Sequence, residues 1–516
     1  MQRYNILWAD DEIDLLKPHI MFLDKKGYEV TPVKSGADAL EKCESFDYDV
    51  VFLDENMPGM TGLETLTQIK SLHPNLPVIM ITKSEEEHIM EEAIASKIAD
   101  YLIKPLNPNQ ILLSVKKIFD NKRLINEKVN LSYQREFQKI SMAVNGYLNY
   151  DEWADIYTKL VYWELEFENT QNREMSEVLN LQMMEANTNF ARYIKENYQY
   201  WLNDDGDKPL LSHNLFKEKV LPEIQGDRPT VFLVIDNMRL DQWKIIESFI
   251  LEFFTIDKFS TYYSILPTTT AYARNSIFSG LLPLEMAKKH PDLWISEDKE
   301  GGKNNHEEDF LIRFLKSQRL DLKVSYHKIK NLAQGRIMID TIPNMIHNDL
   351  NVIVYNFVDM LSHARTEMEI IRELAPNEAA YRSITRSWFI HSPLYESIKR
   401  IAEHKAKLII TTDHGTIRVK KPFKIIGDRN TNTNLRYKVG KNLNFDENKI
   451  FFIRDPELLH LPKINVSSTY VFATEDSFFA YPNNYNYYVN YYRDTFQHGG
   501  LSLEEMIIPI ISLNSK

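Results

Sequence analysis

The sequence predicts an α/β protein in three parts: an N-terminal doubly wound parallel sheet, an all-helical connector bundle and a larger C-terminal α/β domain. Three observations predict it. From Tyr4 to Lys104, short apolar runs that end in an acid, a threonine or a lysine alternate with helix-like segments. Between Asn107 and Trp201 no run has strand character, and glycine and proline are scarce. Past Asn203-Asp204-Asp205-Gly206-Asp207-Lys208-Pro209, a turn-rich boundary, apolar runs ending in carboxylates resume. The expected divisions are 1–120, 121–205 and 206–516, in keeping with a length of 516 residues at roughly 150 per domain.

The composition, 43% hydrophobic and 26% charged, supports large buried cores. Cys43 is the sole cysteine, which excludes an internal disulfide and a cysteine-based metal cluster. The start, MQRYNILWADDE, has no signal-like apolar region before its acids, and no run reaches membrane-spanning length. A cytoplasmic protein without membrane insertion is expected. The net charge of -12 argues against a general nucleic-acid coat and leaves room for a local basic channel.

In the first part, strands are expected at residues 3–9, 49–53, 77–81 and 101–103, ending in Asp10-Asp11, Asp54, Thr82 and Lys104-Pro105. Helices are expected at 14–26, 36–44, 62–72 and 85–96. Each acid alone reads as a helix N-cap. Together, three carboxylates can hold Mg²⁺ through oxygen, while Thr82 and Lys104 can hold phosphoryl oxygens on Asp54. Asp10-Asp11, Asp54 in DENMPGMTG, Thr82, Tyr101 and Lys104-Pro105 resemble the response-regulator receiver family. The resemblance implies a flavodoxin-like fold and phosphorylation of Asp54 by a cognate sensor histidine kinase. It further implies Mg²⁺ on Asp11, Asp54 and the Asn56 carbonyl, and a switch through Thr82, Tyr101 and Lys104.

In the connector, Trp153, Ile156, Leu160 and Trp163 keep 3-4-3 spacing, which predicts an amphipathic helix. Met175 to Trp201 predicts another. The aromatic stripe is expected as bundle core, and the connector as the joint between the flanking domains, with a dimer surface.

The third part is organised around KLIITTDHGT, Lys407 to Thr416. Its apolar run fits a strand buried in a parallel sheet, with Asp413 and His414 at the carboxyl end, where such sheets place ligands. Alone, Asp-His-Gly reads equally well as an Asx-type turn. Two further runs have the same form. Thr230–Ile235 ends in Asp236, and 351–358 ends in Asp359, with His363 four residues on. His498-Gly499-Gly500 lies near the end. Three aspartates and three histidines so placed fit two mixed N/O sites of the kind Zn²⁺ accepts. The nucleophile is sought in Ile265–Ser276 (ILPTTTAYARNS), where a hydroxyl at a helix N-terminus would meet N–H donors suited to phosphate. PTTT alone is also a proline turn with a threonine N-cap.

These residues, in this order over about 207–516, resemble the PglZ branch of the alkaline phosphatase superfamily. The resemblance implies one zinc on Asp236, Thr270, Asp413 and His414, and a second on Asp359, His363 and His498. It makes Thr270 the nucleophile, three residues after Pro267 and ten before Gly280, with Thr269 as the alternative. The implied reaction is attack by zinc-activated Thr270 on phosphorus, then hydrolysis of the covalent intermediate. A receiver, a helical connector and a PglZ domain in one chain resemble response regulators associated with type IX protein secretion.

Arg418 to Lys424, with Arg429, Arg436, Lys438 and Lys441, form a basic stretch after Asp-His-Gly, suited to a polyanion. Lys420 and Lys421, with Arg274 and Asn275, are expected substrate contacts. Tyr481 to Phe496 is dense in tyrosine; an aromatic core layer or dimer contact is its first reading, stacking of nucleobases its second. Asp298 to Asp309 reads as a polar surface loop.

The expected function is a response regulator with a two-zinc phosphoesterase output. A phosphodiester is preferred, in a nucleotide or a short or cyclic oligonucleotide. Control is expected through a phosphorylation-favoured homodimer. The alternative is a phosphorylation-dependent scaffold, or a partner of transcription or secretion proteins, without turnover.

Overall fold

The structure, a computed structural model, describes residues 4–83, 98–170, 172–204, 206–224, 228–297, 299, 301–427, 431–447 and 450–516. Within these, the side chains at 121–123, 125, 126, 363–365, 367 and 369 fall outside the description. The expected helix at 85–96 and Arg429 lie outside the described residues. The chain is α/β and divides into two compact units, Met1–Ser132 and Tyr133–Lys516. Among the described residues no helix is long and apolar enough to cross a membrane.

In the first unit, β1 (Tyr4–Ala9), β2 (Tyr28–Val33), β3 (Val50–Asp54), β4 (Val78–Thr82) and β5 (Asp100–Ile103) form a parallel sheet in the order β2-β1-β3-β4-β5. This is the flavodoxin-like order. Side chains alternate across it: Ile6, Trp8 and Phe52 pack into one core layer, Leu7, Leu53 and Met80 into the other. Helices α1 (Lys17–Lys25), α2 (Gly36–Ser45) and α3 (Gly62–Leu72) accompany the strands. A Thr61–Glu64 capping box starts α3. Strand β2 was not expected from the sequence. Its YEVTPV buries only its first and last residues and contains a proline, as edge strands do. The carboxyl ends of β1, β3, β4 and β5 deliver Asp10, Asp54, Thr82 and Lys104.

Helix α4 (Pro108–Val144) runs on past Ser132. In the second unit, α5 (Tyr150–Asn169) and α6 (Arg173–Asn203) pack as a bundle. An Asn149–Glu152 capping box starts α5, whose Trp153, Ile156, Tyr157, Leu160 and Trp163 are buried. Trp153 meets Phe190 of α6 edge-on, and Trp163 lies against Tyr133. The aromatic stripe is therefore core.

The larger sheet contains β6 (Thr230–Ile235), β7 (Phe254–Tyr263), β8 (Val324–Ile329), β9 (Leu350–Tyr355), β10 (Lys407–Thr411) and β11 (Ile507–Ser515). Their order is β7-β11-β10-β6-β9-β8. Strands β6 and β9 are buried throughout and β10 nearly so. That explains their continuous apolar sequences. Two expectations are corrected. Strand β10 pairs parallel with β6 but antiparallel with β11, so its sheet is mixed; β11 follows the His498 turn by a short connection and runs back along β10. Strand β9 stops at Tyr355, and a helix begins at Phe357, so Asp359 lies in that helix's first turn instead of at a strand end.

Further helices shape the site: α7 (Thr270–Ser279), α8 (Glu307–Ser317), α9 (Phe357–Glu367), α10 (Tyr485–Tyr492) and α11 (Leu503–Met506). Between β10 and β11 the chain also builds small two- and three-stranded sheets from residues 417–497.

Candidate active site

The receiver end of the sheet is acidic. Asp10, Asp11 and Asp54 each offer a carboxylate oxygen, and these lie within 4.8 Å of one another. The Lys104 ammonium sits 2.9 Å from both Asp10 Oδ2 and Asp54 Oδ1. Burial raises the Asp54 carboxyl above its ordinary range, and Lys104 counters that only in part. Burial works against the Lys104 charge, but its contacts with Asp10 and Asp54 outweigh this and raise its pKa. Thr82 is buried at the end of β4, and Tyr101 packs against the core layer of Leu53 and Met80. Buried acids sharing one cation, with an exposed Asp11 beside them, form an oxygen set of the kind Mg²⁺ takes.

In the second unit, β6, β10 and the starts of α7 and α9 converge. Asp236 follows β6 and is buried; Asp413 and His414 follow β10 and are fully buried. Oxygen or nitrogen atoms of these three lie within 4.8 Å of one another. Thr270 is the first residue of α7, and its Oγ1 lies 3.3 Å from Asp236 Oδ1 and 3.2 Å from His414 Nε2. The His498 ring stacks on His414 with centroids 4.3 Å apart, and its Nε2 is 3.6 Å from Asp359 Oδ1. The structure thus gathers Asp236, Thr270, Asp359, Asp413, His414 and His498. The side chain of His363 lies outside the described residues; its backbone is in α9.

Local geometry fixes these groups. Asn237 adopts a left-handed conformation, φ 62°, and its N–H donates to Asp413 Oδ1 at 3.3 Å. Gly499 has φ 118°, which favours glycine, and its N–H donates to Thr268 Oγ1. Gly415 is required by crowding: a Cβ there would lie 1.9 Å from the Glu504 carbonyl oxygen.

The charge balance tests the fit to a cation. Burial pushes Asp236 up to about 6 despite Arg274. Burial, with Asp236 and Asp413 nearby, raises Asp359 well above the carboxylate range. Burial also opposes ionisation of Asp413, but His414 and Arg274 hold its carboxyl below that range. Three carboxylates beside two imidazoles and a hydroxyl, with Asp236, Asp413 and His414 buried and Thr270, Asp359 and His498 partly exposed, are a donor set that divalent cations fit.

Several expected contacts take other roles. Arg274 is fully buried, with Nη1 2.7 Å from Asp236 Oδ2 and Nε 2.5 Å from Glu307 Oε1. It orients Asp236 from inside the protein and is not placed to meet substrate. Asn275 spends its Nδ2 on the Ala271 and Lys303 carbonyls. Glu307 opens α8, in what the sequence presents as a polar loop; it is buried and also holds Lys328 and Tyr326. The basic stretch is answered in part. Arg418 pairs with Asp494 at 2.9 Å, and Lys421 with Asp476 at 3.2 Å; Lys420 is exposed. Helix α10 buries Val489 but leaves Tyr487 63% and Tyr488 39% exposed, so its tyrosines are only partly a core layer.

Comparison with known proteins assigns all three parts. Residues 6–116 match the response regulator receiver domain, 123–202 the PorX response regulator linker domain, and 215–513 the BREX system PglZ alkaline phosphatase-like domain. The transcriptional regulatory protein ZraR of Klebsiella oxytoca is 32% identical over 150 residues, 29% of this chain and 34% of the relative. ResD of Bacillus subtilis is 32% identical over 113 residues, 22% of this chain and 47% of the relative. The chain therefore spans between a third and a half of these relatives' length. Among solved structures, a CheY-like receiver domain protein from Methanospirillum hungatei JF-1 is 27% identical, with 23% of this chain and 96% of that chain covered and a TM-score of 0.23. CheY4 of Vibrio cholerae is 29% identical, with 23% and 99% covered and a TM-score of 0.22.

Proposed function

The chain belongs to the PglZ alkaline phosphatase-like family, and from that premise we propose a two-component response regulator whose output is a zinc-dependent phosphoesterase with Thr270 as nucleophile. The observation that carries the reading is the Thr270 hydroxyl, held between Asp236 Oδ1 and His414 Nε2 at a helix start. Asp236, Thr270, Asp413 and His414 would hold one zinc ion, and Asp359, His363 and His498 the other. Imidazoles mixed with carboxylates favour zinc over magnesium. In the receiver, Asp11, Asp54 and the Asn56 carbonyl would hold Mg²⁺. Bound zinc supplies positive charge that lowers the pKa of a hydroxyl and offsets charge on phosphoryl oxygens.

The residues then divide the work. Thr270 Oγ1 loses its proton to solvent and attacks phosphorus in line, forming an O–P bond as the bond to the leaving oxygen breaks and that oxygen takes a proton from solvent. The N-terminus of α7 faces the phosphoryl oxygens with its helix dipole. Asp236 and Arg274 keep Oγ1 aimed. Water then cleaves the threonine–phosphorus bond and restores the hydroxyl. A phosphodiester, in a nucleotide or a short or cyclic oligonucleotide, suits the exposed Tyr487, Tyr488 and Lys420, which offer stacking faces and a cation. Asp54 accepts a phosphoryl group from a sensor histidine kinase and favours a homodimer. An association with type IX protein secretion, through a partner protein, belongs to the same proposal.

The test is a substrate screen with metal-loaded protein, comparing mono- and diesters with and without an acyl-phosphate donor. Turnover of diesters above monoesters, lost on chelation, supports the reading. No turnover of either by metal-replete protein rejects it.

A further inference from the structure

Asn187, in the middle of α6, is buried and spends its whole amide on the segment that follows His498. Its Oδ1 accepts the Leu503 N–H at 2.8 Å. Its Nδ2 donates to both carboxylate oxygens of Glu504, at 3.2 and 3.1 Å. Leu503 and Glu504 open α11, and α11 supports both histidine-bearing loops. On one side, the Gly415 N–H donates to the Glu505 carbonyl at 3.2 Å, and Gly415 has no room for a Cβ against the Glu504 carbonyl. That seats the Asp413-His414-Gly415 turn on α11. On the other side, the Glu505 carboxylate accepts the Gly500 N–H at 2.9 Å and the Ser502 hydroxyl at 2.8 Å, and it holds the buried Arg436. That ties the His498-Gly499-Gly500 turn to the same helix.

A buried amide left without partners would be costly, so this contact with the partly buried Glu504 constrains where α11 can sit. The geometry needs an acceptor for Leu503 and a donor for Glu504. Asparagine supplies both on one short side chain; leucine supplies neither, and aspartate only the acceptor.

We propose that Asn187 is a positioning residue of the catalytic centre. Through Leu503 and Glu504 it sets where His414 and His498 stand relative to Thr270, so turnover depends on a side chain of the connector. The inference rests on the phosphoesterase reading and deepens it by giving α6 a defined contribution to catalysis.

The test uses the full chain loaded with zinc, with bis(p-nitrophenyl) phosphate as the probe. Asn187→Leu is expected to lower kcat about tenfold with KM unchanged, the scale of losses behind metal-ligand shells. Amides of residues 498–506 should exchange faster, while those of β6 and β9 keep their protection. Asn187→Asp sets a carboxylate against Glu504 and should also lower kcat. Adding Glu504→Gln restores a donor–acceptor pair and should recover it, a rescue that a general loss of stability would not show. A folded Asn187→Leu protein with wild-type kcat and wild-type exchange overturns the proposal, as does a paired variant without recovery. If the wild-type protein turns over no ester, the phosphoesterase reading fails separately. Zinc retention and exchange at 498–506 then decide: both weakened in Asn187→Leu supports positioning, and both unchanged overturns it.

Discussion

Thr270 Oγ1 lies 3.2 Å from His414 Nε2, while the hydroxyl of the adjacent Thr269 is buried at the helix cap without a hydrogen-bond partner among the described residues. One residue of register separates a hydroxyl in the site from one in the protein interior. Thr269→Ala should therefore retain turnover, and Thr270→Ser should retain part of it because it keeps the oxygen. Rate measurements on both variants check this. Loss in Thr269→Ala with full activity in Thr270→Ala would move the nucleophile by one.

Metal content follows from the two ligand groups. The wild-type chain should carry two zinc ions in the C-terminal domain. Asp413→Ala should lose one and Asp359→Ala the other. Elemental analysis of undialysed protein measures it, and one ion or none in the wild type contradicts the ligand sets.

Arg274 bridges Asp236 and Glu307, and all three side chains are buried. Arg274→Met leaves both carboxylates without it. Breaking a buried pair from one side typically costs about 3–5 kcal/mol. The loss should be largest in chelator and smaller with zinc, because bound zinc supplies charge beside Asp236. Thermal melts with and without zinc test it; an equal loss in both would show that Arg274 and the cation do not share Asp236.

Burial pushes the Glu504 carboxyl up to about 7 from an ordinary 4.5, against the stabilising Asn187 hydrogen bond. The folded chain keeps this proton where the unfolded chain has released it. The stability tied to this group is full below about pH 4.5 and is lost as pH rises through about 7. Glu504→Gln should thus gain stability relative to the wild type between pH 5 and 8, read as a widening difference in Tm. A constant difference across that range would contradict the assignment.

Phosphorylation of Asp54 adds roughly -1.5 to -2 charge beside Lys104 and Thr82. A beryllofluoride mimic should shift wild-type protein toward twice the monomer mass in light scattering, and should not shift Asp54→Ala. Unchanged mass in both would remove the assembly model and leave the enzyme reading in place.

The strand-and-acid pattern made Asp54, Asp236 and Asp413 legible, because a buried strand writes a largely apolar run and the first acid after it marks the end. Asp359 was found by the same rule but assigned to the wrong element, since Phe357 and Val358 resume the apolar run after Asn356 and already belong to a helix. Arg274 is four residues after Thr270, and sequence does not show on which side of α7 its charge is answered. Its partner Glu307 sits among acids that resemble a solvated loop. Asn187 is an ordinary polar residue of a long helix until α11 is folded against it. The acids answering Arg418 and Lys421 come from Asp494 and from Glu475 and Asp476, distant in sequence. The antiparallel entry of β11 between β10 and β7 is likewise a tertiary fact, because its apolar sequence fits either direction.

In the proposed reaction Thr270 bonds to phosphorus during turnover. Acid quench of zinc-loaded protein during hydrolysis of a phosphodiester, followed by peptide mass analysis, measures this bond. A phosphoryl-type adduct is expected on the peptide containing Thr270, absent after chelation and absent in an inactive Thr270→Ala protein. Sustained turnover by Thr270→Ala, with no adduct in the wild type, would contradict it.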